Sequence, residues 1–132
     1  MRILIAYDGD EPGRRALDAG ALLGAALGAS LDVISVVPTA SGRSPITPWD
    51  DRSAHAEELR EAQDYLRGRG FEPTLIEETG EPATTIERIG TKAGYDMIVV
   101  GPRGIEAVNR ILQGSISAHV AAHAETTVLV AR

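Results

Sequence analysis

The sequence lacks cysteine altogether: none of its 132 residues carries a thiol. Disulfide bonds, thiolate catalysis and zinc sites built on cysteine are therefore excluded. No apolar run approaches the roughly 18–20 residues that a membrane-spanning helix needs. The segment from Met1 to Tyr7 has the short apolar pattern of a strand and not that of a signal peptide. We expect a cytoplasmic protein that makes no contact with a membrane.

Positive charge is also scarce, since 13 Lys and Arg stand against 19 Asp and Glu and the net charge is −6. A general nucleic-acid binder needs a basic stripe, so we predict no nucleic-acid partner. The chain has no P-loop lysine motif and no legible Ser/His/Asp arrangement. His119 and His123 are four residues apart, but no glutamate follows the first, which favours an exposed pair. We nominate no catalytic residue and no metal ligand.

Apolar runs alternate along the chain with segments of helical periodicity. Strands are predicted at 2–7, 31–37, 71–77, 97–100 and 126–131, and helices at 13–27, 51–69, from 80–82 onward, and around 116–124. This alternation predicts an α/β fold, a doubly wound open sheet of five parallel strands in the order 3-2-1-4-5, with helices on both faces. We expect one domain over residues 1–132. Residues 38–50 are predicted to be a loop, either a binding lid or a solvated surface segment.

A glycine-rich stretch follows the fourth predicted strand. Gly101-Pro102-Arg103-Gly104 is separated by nine residues from Gly114-Ser115-Ile116-Ser117. Glycines let backbone N–H groups approach phosphate oxygens closely, and the start of the next helix supplies unpaired donors and partial positive charge. This stretch therefore predicts a site for nucleotide phosphates. The Arg103 side chain is either a charge-assisted phosphate contact or a solvated surface charge.

A second segment is expected at the same edge of the sheet. Ligands of open parallel sheets bind at the carboxyl ends of the strands, where the winding direction reverses. If strands one and four are neighbours there, Asp8-Gly9 and the turn that begins at Gly101 face one cleft. The end of strand two, at Val36 and Val37, would then form its far wall.

The glycine spacing resembles the ATP-binding signature of the universal stress protein family. The resemblance extends over the whole chain, from Tyr7-Asp8-Gly9 through Asp96–Gly101 to the segment around Val128–Val130. It implies an α/β protein that binds ATP or another adenine nucleotide (AMP or ADP), with Mg²⁺ as a candidate co-ligand. It also implies a homodimer paired through Val128–Val130, acting in the stress response as a regulatory module with a protein partner that the sequence does not identify.

The resemblance assigns a contact to each matching residue. Asp8 would contact the nucleotide near its sugar and base, and Val36 would meet adenine through its backbone. The remaining contacts, to ribose and phosphates, would come from Gly101, Gly104, Gly114 and Ser115, with Ser117 as an extra donor. At most, slow ATP hydrolysis or autophosphorylation is implied, with no identifiable base.

Two departures from the family pattern support an alternative function. Asp10 stands where the family often has serine, and a carboxylate there would repel phosphates unless a cation neutralises it. Pro102 removes one backbone donor from the glycine turn. The alternative is a nucleotide-independent interaction protein with the same fold and an empty cleft.

Overall fold

The computed structural model describes residues 1–7, 9, 11–38, 52–101 and 126–131. Its elements are β1 (Arg2–Ala6), α1 (Glu11–Leu27), β2 (Ser30–Pro38), α2 (Arg52–Arg67), β3 (Thr74–Gly80), α3 (Pro82–Lys92), β4 (Met97–Val100) and β5 (Thr127–Val130). The strands form one sheet in the order β3-β2-β1-β4-β5, and all four pairings are parallel. The predicted fold class and strand order are confirmed. The helix predicted around 116–124 lies outside the described residues.

The sheet is covered on both faces because successive side chains of β1 point to opposite sides. Ile3 and Ile5 pack with α1 and α2, whereas Leu4 packs with α3. All three side chains are fully buried. Burial on both faces explains why β1 is an unbroken apolar run.

Strand β3 begins three residues later than predicted, at Thr74 instead of Phe71. Pro73 has no N–H to donate to a ladder, and Phe71 packs against the core beside α1 without joining the sheet. The strand then follows β2 as far as the pair Pro38↔Gly80. The prediction that it lies near an edge of the sheet is confirmed.

The start of α3 agrees with the sequence signal at 80–82. The Glu81 carboxylate accepts hydrogen bonds from the backbone N–H groups of Ala83 at 3.2 Å and Thr84 at 2.7 Å. Pro82 occupies the first turn, where its missing N–H has no helical partner to lose. These contacts are local, so the residues at 81–84 by themselves favour a helix start at this position.

A polar cluster joins four segments at the amino-terminal edge of the sheet. Asp32 accepts a hydrogen bond from the Tyr95 hydroxyl at 2.7 Å and another from the Thr74 N–H at 3.0 Å. The Arg2 guanidinium lies 4.2 Å from the centre of the Tyr95 ring. Burial, followed by the hydrogen bond and the charge of Asp32, raises the pKa of Tyr95 to about 12. The phenol therefore stays a neutral donor, and this cluster lies at the edge opposite the candidate site.

None of the helices in the described part of the chain has the length and apolar character needed to cross a membrane.

Candidate functional site at the carboxyl edge of the sheet

The two segments predicted to share a cleft leave from adjacent strands. β1 pairs with β4, with Ile3 opposite Met97 and Ile5 opposite Val99. Tyr7, which follows β1, and Gly101, which follows β4, are therefore at the same edge of the sheet. The chain winds from β1 to one side through β2 and β3, and β4 and β5 lie on the other side. The gap between β1 and β4 is thus the switch point of the fold, where ligands of such sheets bind.

Val36 lies next to this gap. The last pair between β1 and β2 is Ala6↔Ile34, so Val36 extends two residues beyond it. The carbonyl of Ile34 accepts from the Tyr7 N–H at 3.0 Å. Backbone groups two residues apart point the same way, so those of Val36 face the side of β1 just past its end. The Val36 side chain packs in the core beside α3, so a contact of Val36 with a ligand at this edge would come from its backbone.

The turn after β1 depends on Gly9. Its φ of +82° is in the left-handed region that glycine adopts without strain. A Cβ atom at this position would also lie 2.7 Å from Cγ of Glu58. The backbone conformation therefore requires glycine here, and the Glu58 side chain of α2 would have to move to admit any larger residue.

A buried polar group that the sequence analysis missed lies beneath this edge. Ser35 Oγ and His55 Nδ1 are 2.5 Å apart, and both residues are buried. The Glu58 carboxylate lies 3.5 Å from the same imidazole nitrogen. His55 and Glu58 are three residues apart and so share one face of α2, four residues before Leu59 and Ala62 respectively in the core stripe. The sequence shows that His55 and Glu58 share a helix face, but only the fold shows that Ser35 contacts His55.

The electrostatic setting of this edge holds Tyr7 neutral. Burial, together with the carboxylates of Glu61 and Glu58, raises the pKa of Tyr7 above its ordinary value of 10.0, and Arg14 acts in the opposite direction. Tyr7 is almost fully buried on the face covered by α1 and α2. Its hydroxyl therefore stays protonated within the packing between these helices, where its oxygen accepts a hydrogen bond from Arg14.

The predicted contacts are only partly within the described residues. Val36 and Gly101 are described, and both are at the carboxyl edge. The other predicted contact residues lie outside the described residues: Asp8, Arg103, Gly104, Gly114, Ser115 and Ser117. Within the described segments, no group of three or more His, Cys, Asp or Glu side chains is placed to hold a metal ion.

Comparison with known proteins places these observations in a family. The model of the universal stress protein family matches residues 1–132. A universal stress protein from Thermus aquaticus is 36% identical over 140 residues, which cover 98% of this chain and 97% of that protein.

Solved structures show the same fold. A crystal structure of a universal stress protein in complex with cAMP has a TM-score of 0.80 and 24% identity, covering 100% of this chain and 96% of that one. The universal stress protein from Archaeoglobus fulgidus in complex with dAMP also has a TM-score of 0.80, with 23% identity, covering 100% of this chain and 98% of that one. The sheet order, the switch point and the family match over the full sequence agree, and the chain belongs to the universal stress protein family.

Proposed function

We propose that residues 1–132 act as one domain that binds an adenine nucleotide (ATP, ADP or AMP, with Mg²⁺ as a candidate co-ligand) between β1 and β4. In this proposal, nucleotide occupancy regulates a dimeric stress-response protein. The observation that carries the proposal is the adjacency of β1 and β4, because Tyr7 and Gly101, from which the two predicted segments begin, lie at one edge of the sheet.

The described residues fit the base and ribose end of such a ligand. Val36 offers backbone groups past the end of β1, and Gly9 follows β1 at the same edge of the sheet. Two relatives with this fold have been solved with cAMP and with dAMP bound, and both ligands are adenine nucleotides. These facts support an adenine nucleotide as the ligand class.

Each proposed contact has a distinct chemical role. Asp8 would accept hydrogen bonds near the sugar and base, and the Val36 backbone would bind the edge of adenine. Backbone N–H groups and hydroxyls would hold ribose and phosphates, with Arg103 adding charge. The residues in this second group are Gly101, Arg103, Gly104, Gly114, Ser115 and Ser117.

We expect ATP with Mg²⁺ to raise the thermal midpoint of the protein. A ligand at about 100 times its dissociation constant adds roughly 2.7 kcal/mol of stability. For a chain of this size that corresponds to a rise in Tm of about 8 °C. Differential scanning fluorimetry with ATP, AMP and cAMP measures it, and GTP serves as the control for base recognition.

A protein whose midpoint stays constant with all three adenine nucleotides at millimolar concentration would overturn this proposal. The nucleotide-independent interaction protein would then be the better description. Mass spectrometry of small molecules released from the purified protein is an independent test, since a bound adenine nucleotide would be released on denaturation.

We also propose that the protein forms a homodimer through β5. The two outer strands of the sheet are β3 and β5. β3 carries Glu77 and Glu78, and charged side chains discourage pairing along an edge. β5 has the sequence Thr-Val-Leu-Val, with no charge and three half-buried apolar residues. An uncharged edge of this kind favours pairing with a second copy of the chain.

Proline at Val128 is expected to produce a monomer. The N–H of Ala131 donates to the carbonyl of Val100 at 2.8 Å, and N–H directions alternate along a strand. The N–H of Leu129 therefore also faces β4, whereas that of Val128 faces the open edge. Val128→Pro should remove a donor from the dimer contact, and Leu129→Pro should weaken the β4–β5 ladder and lower Tm instead. Sedimentation equilibrium of both variants and the wild type measures assembly.

A folded Val128→Pro variant that remains dimeric, or a wild-type protein that is monomeric at tens of micromolar, would remove β5 from the interface.

A further inference from the structure

The side chains of α2 contact both segments that frame the base and ribose end of the proposed site. His55 Nδ1 lies 2.5 Å from Ser35 Oγ, and Ser35 immediately precedes Val36 in β2. The Glu58 carboxylate lies 3.5 Å from the same nitrogen of His55. Ser35 and His55 are 1% and 5% exposed, so this connection is made inside the protein and away from competing water.

Glu58 also contacts the turn after β1. A Cβ atom built on Gly9 would lie 2.7 Å from Cγ, 2.8 Å from Cδ and 2.8 Å from Oε1 of Glu58. The whole end of the Glu58 side chain therefore lies against the backbone of Gly9, the residue that follows Asp8. The path runs from β2 through Ser35, His55 and Glu58 to the β1–α1 turn.

We propose that His55 and Glu58 are positioning residues for the nucleotide. They hold the end of β2 and the turn after β1 at a defined separation, and those are the segments that carry Val36 and Asp8. This inference rests on the proposed function. Holding both segments before the ligand arrives reduces the ordering cost of binding.

The location of the pair predicts which part of the ligand depends on it. α2 contacts β2 and the β1–α1 turn, whereas Gly101 leaves from β4 on the other side of β1. The effect of removing Glu58 should therefore fall on the base and ribose, and be the same with or without phosphates. A role confined to packing of the core would lower stability but leave affinity unchanged in the folded protein.

The test compares Glu58→Ala with Glu58→Gln and with the control Glu57→Ala. Glu57 is the neighbouring residue, its side chain is 61% exposed, and it pairs with Arg60 on the outer face of α2. Binding of ATP is measured by calorimetry and binding of adenosine by NMR titration, at a temperature where each variant is folded. Glu58→Ala should weaken both ligands by a similar factor of roughly tenfold. Glu58→Gln keeps the stem against Gly9 and should recover affinity to within about twofold.

A second measurement covers the case in which Glu58→Ala does not fold. Ser35→Ala removes one buried hydroxyl with little change in volume, and it should weaken adenosine and ATP by roughly threefold each. In addition, where Glu58→Ala folds, Gly9→Ala should cost less affinity in that background than in the wild type, because the new methyl group no longer meets the Glu58 side chain. Non-additive losses support the contact between Gly9 and Glu58 as the one that transmits the effect.

The proposal is overturned if the folded Glu58→Ala or Ser35→Ala variant binds both ligands as tightly as the wild type. It is equally overturned if only ATP is weakened, because the effect would then lie at the phosphates. A wild-type protein that binds neither ligand would overturn the proposed function itself. These results are distinguishable, since the last is seen before any variant is made.

Discussion

Replacing Gly114 with valine is expected to lower the affinity for ATP by at least roughly 100-fold. In the proposed site, backbone N–H groups at Gly114 and Ser115 meet the phosphates, and a branched side chain would keep those oxygens away. Two lost hydrogen bonds to a charged group, at about 1.5 kcal/mol each, correspond to a factor of this size. Calorimetry with ATP measures the loss, and Tm without ligand shows whether the variant is folded.

A second glycine serves as a control, because it tests whether a glycine-to-valine change elsewhere in the chain also lowers the affinity for ATP. Gly68 follows α2, is exposed, and would place a Cβ no closer than 3.4 Å to the Tyr65 carbonyl. Gly68→Val should therefore bind ATP with wild-type affinity. Adenosine, which has no phosphate, should bind the Gly114→Val variant nearly as well as the wild type. An unchanged ATP affinity in Gly114→Val would remove this residue from the proposed site.

The largest loss of stability is expected from Ile98→Ala in β4. The Ile98 side chain is fully buried between β1 and α3. Truncations of this kind cost about 2–5 kcal/mol of stability, because the removed atoms no longer contribute buried apolar surface and a cavity is left in their place. Gly90 of α3 lies directly above, where an added Cβ atom would overlap Cδ1 of Ile98. Urea unfolding at 25 °C should show the loss as a lower midpoint with an unchanged slope.

The contact between Gly90 and Ile98 predicts that Gly90→Ala changes stability in the direction opposite to the one seen in an exposed helix. In an open helix this substitution stabilises by about 1 kcal/mol. Here the new methyl group would overlap Ile98, so we expect a destabilisation of about 1–3 kcal/mol in the wild-type background. In the Ile98→Ala background the methyl group enters vacated space, and Gly90→Ala should stabilise. If Gly90→Ala has the same sign in both backgrounds, the described packing of α3 on β4 is wrong.

Much of the fold could be predicted because its signals are local. The apolar run at 97–100 and the capping pair Glu81-Pro82 act on their own neighbours, and both elements formed where expected. The start of β3 was predicted too early because Phe71 is apolar but belongs to the core beside α1. Hydrophobicity alone does not distinguish a strand residue from one that packs beside the sheet.

The candidate site, like the fold, could be predicted from the sequence only in part. The glycine spacing after residue 100 and the family resemblance could be recognised from residue order, and the carboxyl edge was the expected location. The contact of Glu58 with Gly9 could not be foreseen, because it joins residues 49 positions apart through the packing of α2 on the sheet. Likewise, the hydrogen bond from Tyr95 to Asp32 spans 63 positions.

Residue order was therefore sufficient for the types of the described elements, the parallel winding and the family, since these follow from periodicity, turn chemistry and motif spacing. The partners of buried polar side chains were decided in three dimensions, among them Ser35 with His55 and Asp32 with Tyr95. The physical reason is that a buried polar group must find a partner wherever packing brings one within hydrogen-bond distance, whatever its place in the chain.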